Sequence, residues 1–242
     1  MFDTIILLTG PVEEAVLTGV LRGPNPRLTV RPAKSLADLQ ALEPELLRRA
    51  RLIGFVTDVV VPARTLNELG FGAYNFHPGP PHYPGWVPAH CAVYDRASHF
   101  GATAHRMIER VDAGPIVGFK LFGIPPNTGV IQLQELAFVE LAKLFWSLAP
   151  MLANQREPLT ELPIEWSGTK STRRMYATMC DIAADISKEE LERRIEAFGA
   201  GHYGIEPTIT LHDRVFRYAA PEVNNKIASP GIVPAEKALE PA

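Results

Sequence analysis

The chain opens on an all-apolar run, Thr4-Ile-Ile-Leu-Leu8, followed by Thr9-Gly10-Pro11. A short run without alternation is the pattern of a strand buried on both faces. Pro11 suits the first position of a helix, and Glu13 and Glu14 suit its positive end, so a helix to about Leu21 follows. Gly10 reads as a plain strand-to-helix turn. Leu28 to Val30 predicts a short strand. Ser35 can cap a helix carrying Leu36, Leu39, Leu42 and Leu46 on one side. Arg51 to Val56 is the next apolar run, and Ala63 to Leu69 the next short helix. Gly70-Phe-Gly72 breaks that helix before a strand that ends at Asn75 and His77. Strand, helix, strand, helix, strand is the rhythm of a parallel α/β sheet.

Further on, Pro88 to Asp95 reads as a helix, Phe100 to Met107 as extended, Arg110 to Gly114 as a turn and Ile116 to Phe122 as a strand. Thr128 is expected to cap a long amphipathic helix. Its stripe of Val130, Leu133, Leu136, Ala137, Leu141, Leu144, Phe145 and Leu148 keeps helical spacing, while Gln134, Glu135, Glu140 and Lys143 lie off it. That stripe reads as core. From Gln155 to Ser167 the pattern loosens. Ser187-Lys-Glu-Glu190 has the form of a capping box and predicts a helix to about Phe198. Thr208 to Leu211 and Val215 to Tyr218 are strand-like, and are expected to pair across a homodimer. The tail from Pro221 is rich in Pro, Ala and charge and is expected to be poorly ordered. The expected fold class is an open, mostly parallel α/β sheet with helices on both faces, Rossmann-like, plus a small C-terminal α+β extension. The division is a main domain over 1–155, the extension over 156–220 and the tail over 221–242.

Composition narrows the function classes. The 242 residues are 46% hydrophobic with a formal net charge of −3. That balance argues against a generally basic nucleic-acid binder. The basic cluster Lys170, Arg173 and Arg174 therefore reads as a solvated face rather than an RNA patch. The two cysteines, Cys91 and Cys180, form no metal or redox motif and suit a reducing compartment. No segment reads as the roughly 20 apolar residues of a membrane span, and the N-terminal run is too short for a signal peptide. A cytoplasmic protein is expected.

Candidate chemistry concentrates in Ala73-Tyr-Asn-Phe-His-Pro-Gly-Pro-Pro-His-Tyr-Pro-Gly85. Positions two apart on a strand share a face, so the Asn75 amide and the His77 imidazole project together beyond the strand end. The ends of strands in open α/β sheets are where ligands bind. Five of the seven histidines fall between residues 77 and 105. Their spacings of 77, 82, 90, 99 and 105 make no compact ligand motif, so no metal is expected. His82, His90 and His99 read as surface, packing or rim residues.

Three landmarks then follow in order: Asn75-x-His77 with its Pro/Gly loop, Gly101-x-Thr-x-His105, and the turn Val111-Asp-x-Gly-x-Ile116. Together they resemble the 10-formyltetrahydrofolate-dependent formyltransferases. That family includes glycinamide ribonucleotide and methionyl-tRNA formyltransferases, sugar-nucleotide N-formyltransferases and formyltetrahydrofolate deformylases. The resemblance covers about Arg51 to Ala153 and continues more weakly to Tyr218. It implies a catalytic domain over 1–155, with Asn75, His77 and Asp112 in the places of the family's catalytic Asn, His and Asp. Chemistry agrees with that assignment. An amide N–H can stabilise the oxyanion of a tetrahedral intermediate. An imidazole that titrates near neutrality can move the proton. A carboxylate can orient that imidazole, raise its pKa or hold a proton-relaying water. Each of the three residues alone would also pass as a strand-end cap or a turn. The resemblance further implies 10-formyltetrahydrofolate as cosubstrate, with its pterin read by the Phe55 to Pro62 loop and the Arg110 to Gly114 turn. The residues implied are Phe55, Val59, Val60, Arg110, Val111 and Gly114.

The loop after His77 departs from the family's Ser, Leu-Pro and Arg-Gly pattern, so the acceptor side is expected to differ. Ile182 to Phe198 resembles the linker after the catalytic domain in the methionyl-tRNA and sugar enzymes. The stretch 219–242 is too short for the five-stranded barrel that follows it in the tRNA enzymes. The expected acceptor is therefore a primary amine on a small molecule, an amino sugar nucleotide being the class to test first. The alternatives are a 10-formyltetrahydrofolate hydrolase, a methionyl-tRNA formyltransferase and a folate-binding protein without catalysis.

Overall fold

Strands β1 (Thr4–Leu8), β3 (Ala50–Phe55) and β4 (Ala73–His77) lie side by side and parallel in the computed structural model, which describes residues 2–200 and 204–219. β2 (Thr29–Ala33) joins them, parallel, on the outer side of β1. β5 (His99–Arg106) and β6 (Ile116–Gly123) continue the sheet antiparallel, giving six strands in the order β2-β1-β3-β4-β5-β6. The expected open, mostly parallel sheet is the one that forms. The tail over 221–242 lies outside the described residues.

The all-apolar strands are buried throughout because each face meets its own helical layer. Ile5 and Leu7 pack with Leu17 and Leu21 of α1 (Pro11–Arg22) and with Leu141, Phe145 and Leu148 of α6 (Val130–Asn154). Ile6 and Leu8 face the other way. They pack with Leu39 of α2 (Leu36–Gln40), Leu47 of α3 (Pro44–Arg49) and Leu66 of α4 (Ala63–Glu68). A further apolar cluster joins α5 (Pro88–Tyr94) to the first turns of α6, to α7 (Arg173–Cys180) and to α8 (Lys188–Phe198).

Several boundaries differ from expectation. The helix predicted from Ser35 is two helices, α2 and α3. Ser35 does cap α2, with the Asp38 N–H donating to its Oγ at 3.2 Å and its own N–H donating to the Asp38 carboxylate. Pro44, however, cannot lie inside a helix without losing a backbone bond, and instead occupies the first turn of α3. Gly129, not Thr128, is the N-cap of α6; the Thr128 hydroxyl donates to the Pro125 carbonyl instead. α7 was not expected from the pattern. α6 runs 25 residues, through Pro150, and by length and composition it is apolar enough to cross a membrane. This corrects the expectation that no segment reaches that length. One side of it, from Leu133 to Leu152, is packed into the cores described above, as in the core helix of a folded domain.

The two C-terminal strand-like runs pair with each other within the chain. β7 (Asp181–Ile182), β8 (Thr208–Leu211) and β9 (Arg214–Arg217) form a three-stranded sheet in that order. His212 and Asp213, both at positive φ, make the tight turn of the β8–β9 hairpin.

Arg51, at the start of β3, is fully buried, and among the described residues it has no carboxylate partner. Its Nε donates to the Phe71 carbonyl at 3.1 Å, one terminal nitrogen to Leu152 at 2.7 Å and the other to Gln155 at 2.9 Å. Two of these acceptors end α6, where carbonyls lack partners within the helix and partial negative charge accumulates. The guanidinium also lies over the rings of Phe2 and Tyr74. A buried cation thus ties the end of α6 to the sheet.

Candidate active site

β4 positions the centre. Its alternation sends Tyr74 and Phe76 into the core beneath α6 and leaves Asn75 and His77 on the opposite face. Across the sheet Asn75 pairs with Gly54 on one side and His105 on the other. Gly54 keeps the space open. A Cβ there would come within 2.7 Å of Met107 and 3.0 Å of the Asn75 amide oxygen.

Asp112 reaches this face from the turn between β5 and β6, with φ at 49°. Its Oδ1 lies 3.2 Å from His105 Nε2 and its Oδ2 lies 3.7 Å from His77 Nδ1. The Gly85 N–H donates to Oδ2 at 2.8 Å. Asn75 Nδ2 is 3.3 Å from His105 Nε2. All three ionisable groups are buried, yet each borders a cavity of about 760 Å³. Burial works against the Asp112 charge. The hydrogen bond with His105, the neighbouring imidazoles and the Gly85 N–H outweigh it and hold the carboxyl down at about 2. Burial pushes His77 below the ordinary histidine value, against the pull of Asp112 and of the Tyr83 carbonyl.

The partners assign the protons. His77 Nε2 is 3.1 Å from the Tyr83 carbonyl, which can only accept, so Nε2 carries a hydrogen. In the neutral ring Nδ1 is then the bare nitrogen, aimed toward Asp112. A proton arriving at Nδ1 creates an imidazolium beside a carboxylate that is already ionised. His105 Nδ1 likewise faces a carbonyl, that of Arg106, at 3.1 Å. Its Nε2 therefore does one of two things. When bare it accepts from Asn75, and when protonated it donates to Asp112. One proton decides which neighbour is held.

The segment after α6 closes the back of this group. The Leu162 N–H donates to Ile116, the Ser167 N–H to Pro81 and the Ser171 N–H to Pro84. Trp166 donates its indole N–H to the Gly114 carbonyl at 2.8 Å and sets its ring edgewise to His105 and His77, with centroids 5.0 and 5.8 Å away. Ser171 forms a bridge to Gly85, accepts from the Trp86 N–H on its carbonyl and accepts from the Val87 N–H on its hydroxyl.

Of the residues expected to meet a pterin, Val59, Val60, Arg110 and Val111 line the cavity. Phe55 does not. It is buried among Phe76, Phe138 and Phe145, because its side chain faces the α6 layer. Gly114 also lies off the lining, packed so close to the Arg106 carbonyl that a Cβ would overlap it. The next residue after Phe55, Val56, adopts φ of 45° and does line the cavity. A β-branched residue in that region is strained, and such strain gathers at ligand-binding loops. Lys170 and Arg173, expected on a solvated face, are exposed but form part of the cavity wall, while Arg174 does not. His82 and His99 are exposed, and His90 is buried against Tyr176 and Phe198.

The chain is similar to known proteins in sequence and in fold. The methionyl-tRNA formyltransferase of Thermotoga maritima is 27% identical over 198 residues, which is 73% of this chain and 61% of that protein. In sequence the chain is thus similar to methionyl-tRNA formyltransferases, and its fold is that of the formyltransferases. A 4-N formyltransferase from Francisella tularensis superposes with a TM-score of 0.68 at 16% identity, covering 90% of this chain and 97% of that one. The N-formyltransferase of Helicobacter canadensis, in complex with folinic acid and dTDP-3-aminofucose, gives 0.61 at 16% identity, covering 88% and 85%. The chain spans about three-fifths of the length of the Thermotoga protein it matches. No protein-family model matches it.

Within this formyltransferase fold, the structure brings together Asn75, His77 and Asp112 and adds members that sequence reasoning did not assign. His105 had a signal, since it closes the Gly-x-Thr-x-His motif and sits on a strand face. Trp166, Lys170 and the Gly85 N–H had none; their positions follow from a return of the chain across the sheet edge.

Proposed function

We propose that this chain moves the formyl group of 10-formyltetrahydrofolate to a primary amine on a small molecule. The observation that carries the reading is the group of Asn75, His77, His105 and Asp112 at the end of β4, bordering a cavity large enough for a folate. The catalytic unit is read as 1–155, with residues 162–173 of the extension closing one side of its site. Support for the donor comes from the formyltransferase relatives and from the Helicobacter neighbour, whose structure holds folinic acid.

In this reading the amine nitrogen attacks the formyl carbon and the carbonyl becomes an oxyanion, to which Asn75 Nδ2 donates. His77, held neutral by burial, takes the proton lost by the amine at its bare Nδ1. Asp112 then faces the imidazolium and stabilises it. The bond from the formyl carbon to N10 breaks, N10 gains a proton, and formamide and tetrahydrofolate leave. Protons balance: one leaves the amine and one arrives at N10.

The test is tetrahydrofolate formation from 10-formyltetrahydrofolate with a panel of amines, including amino sugar nucleotides and charged methionyl-tRNA. Acceptor-dependent formation, lost in His77→Ala, is expected. Formate release that needs no amine would make the chain a hydrolase, and an undiminished rate in His77→Ala would overturn the assignment. Turnover with methionyl-tRNA alone would favour the acceptor named for the sequence relatives.

A further inference from the structure

The loop after His77, Pro78 to Pro84, has four prolines in seven residues and therefore only three backbone N–H groups. A loop short of donors has to be fixed through its carbonyls, and five of them accept here. The Thr103 hydroxyl donates to Gly79 at 2.7 Å. The Tyr83 N–H donates to Pro80 and the Ser167 N–H to Pro81. His77 Nε2 donates to Tyr83 at 3.1 Å. Ser171 donates twice to Pro84, from its N–H at 2.9 Å and from its hydroxyl at 3.2 Å.

Two buried hydroxyls thus grip the two ends of the loop, one from β5 and one from the segment after α6. Thr103 stands directly across the sheet from His77, on the same face. Gly79, which it holds, passes so close over the ring that a Cβ there would lie 2.6 Å from Nε2. At the other end the Ser171 hydroxyl also accepts from the Val87 N–H at 2.9 Å, and its backbone bridges Gly85, whose N–H holds Asp112 Oδ2.

The neutral His77 ring has one hydrogen and two acceptors within reach of its nitrogens. Tyr83 offers a carbonyl at 3.1 Å from Nε2; Asp112 offers a carboxylate oxygen 3.7 Å from Nδ1, too far for a hydrogen bond. A carboxylate is the stronger acceptor, so a ring free to choose would give its hydrogen to Asp112 from Nδ1. That would cover the nitrogen assigned above to take the amine proton. Something has to hold the weaker acceptor in place.

We infer that Thr103 and Ser171 are positioning residues that hold the proline-rich loop over His77 and so keep its hydrogen on Nε2 and its Nδ1 bare. The consequence for turnover rests on the formyl-transfer reading; the tautomer itself does not.

The test is nitrogen NMR of the whole chain labelled at histidine, at neutral pH, with the His77 signals identified by their loss in His77→Gln. The wild type is expected to show the Nε2–H form. Thr103→Val and Ser171→Ala, each close in shape to the native residue, are expected to move the ring toward the Nδ1–H form, and the double variant further. Thr103→Ser, which keeps the hydroxyl, should restore the wild-type spectrum. Turnover should fall roughly tenfold in the double variant through kcat, with KM for the folate unchanged. The single variants are read separately, so a fold lost in one leaves the other decisive. An Nδ1–H ring in the wild type would overturn the proposal. So would a lower melting temperature with the Nε2–H form retained, which would give the two hydroxyls a purely structural role. Absence of formyl transfer would show only in the turnover assay and leave the spectra to decide this inference.

Discussion

Two buried charges sit at opposite ends of the same parallel strands, and they are built differently. Arg51 lies at the start of β3 with its guanidinium spent on the carbonyls of Phe71, Leu152 and Gln155. Asp112 lies at the other end, shared among His105, His77 and the Gly85 N–H. Burial is nearly complete for both. The difference is in their partners. Carbonyls cannot take up or release a proton, so Arg51 has one state. Imidazoles can, so the state of Asp112's neighbours changes with a single proton, beside an open cavity. Buried charge alone therefore does not mark a functional site; partners that can exchange protons do.

The comparison can be broken most directly by exchanging activity for stability. His77→Ala is expected to lower kcat by roughly 10²- to 10⁴-fold while shifting the melting temperature little. Arg51→Met is expected to do the reverse. It leaves carbonyls at the end of α6 without donors, costing roughly 2–4 kcal/mol in denaturant unfolding, with kcat intact while the protein stays folded. If Arg51→Met abolished turnover at full stability, the two ends would be coupled and the contrast would fail.

Acid sharpens the contrast. The Asp112 carboxyl is depressed in the folded state, so its stabilising share is present above the unfolded value near 4 and is lost as pH falls toward 2. With a folded value of about 2, that share is about 2 kcal/mol, and Asp112→Asn should remove this acid step from the unfolding profile. His77 is also depressed, so it binds protons more weakly when folded. Stability linked to it is full above the ordinary value near 6.5 and falls as pH drops below that. Turnover should fall on the same acid side. In Asp112→Asn the residual activity should extend to lower pH, because the charge that pulls the His77 value upward is gone. An acid limb that moved upward would contradict this assignment.

The smallest expected effect tests the segment behind the site. Trp166→Phe keeps a ring beside the imidazoles and removes the hydrogen bond to Gly114. A loss of about 1 kcal/mol, seen as a several-fold drop in kcat with folate affinity unchanged, is expected. A drop in folate affinity alone would mean that Trp166 serves the pocket and not the imidazoles.

Local chemistry made much of this protein legible. The all-apolar runs announced strands covered on both faces, and those strands lie in the parallel part of the sheet. The i, i+2 spacing of Asn75 and His77 put both on one strand face, since alternation is a property of the extended backbone itself. Ser35 and Ser187 capped helices as their spacing predicted. Where proline met a helical pattern, the outcome differed with its surroundings. Pro44 split a helix in two, while Pro150 stayed inside α6. The end of that helix is held by Arg51, 101 and 104 residues before the carbonyls it binds there.

Most strands and helices, the fold class and the placing of Asn75 and His77 on one strand face were thus legible in the sequence, because the patterns that announce them are set by neighbours a few residues away. The rest of the site was decided by tertiary structure. Asp112 meets His77 only because β5 runs antiparallel beside β4. His105 faces Asn75 because of that register. Phe55 goes to the core and Val56 to the cavity by the phase of one strand. Trp166, Lys170 and Arg173 reach the centre because the chain after α6 turns back and hydrogen-bonds to the loop following His77. Contacts across 80 or more residues leave no period or cap in the sequence, so no local pattern could announce them.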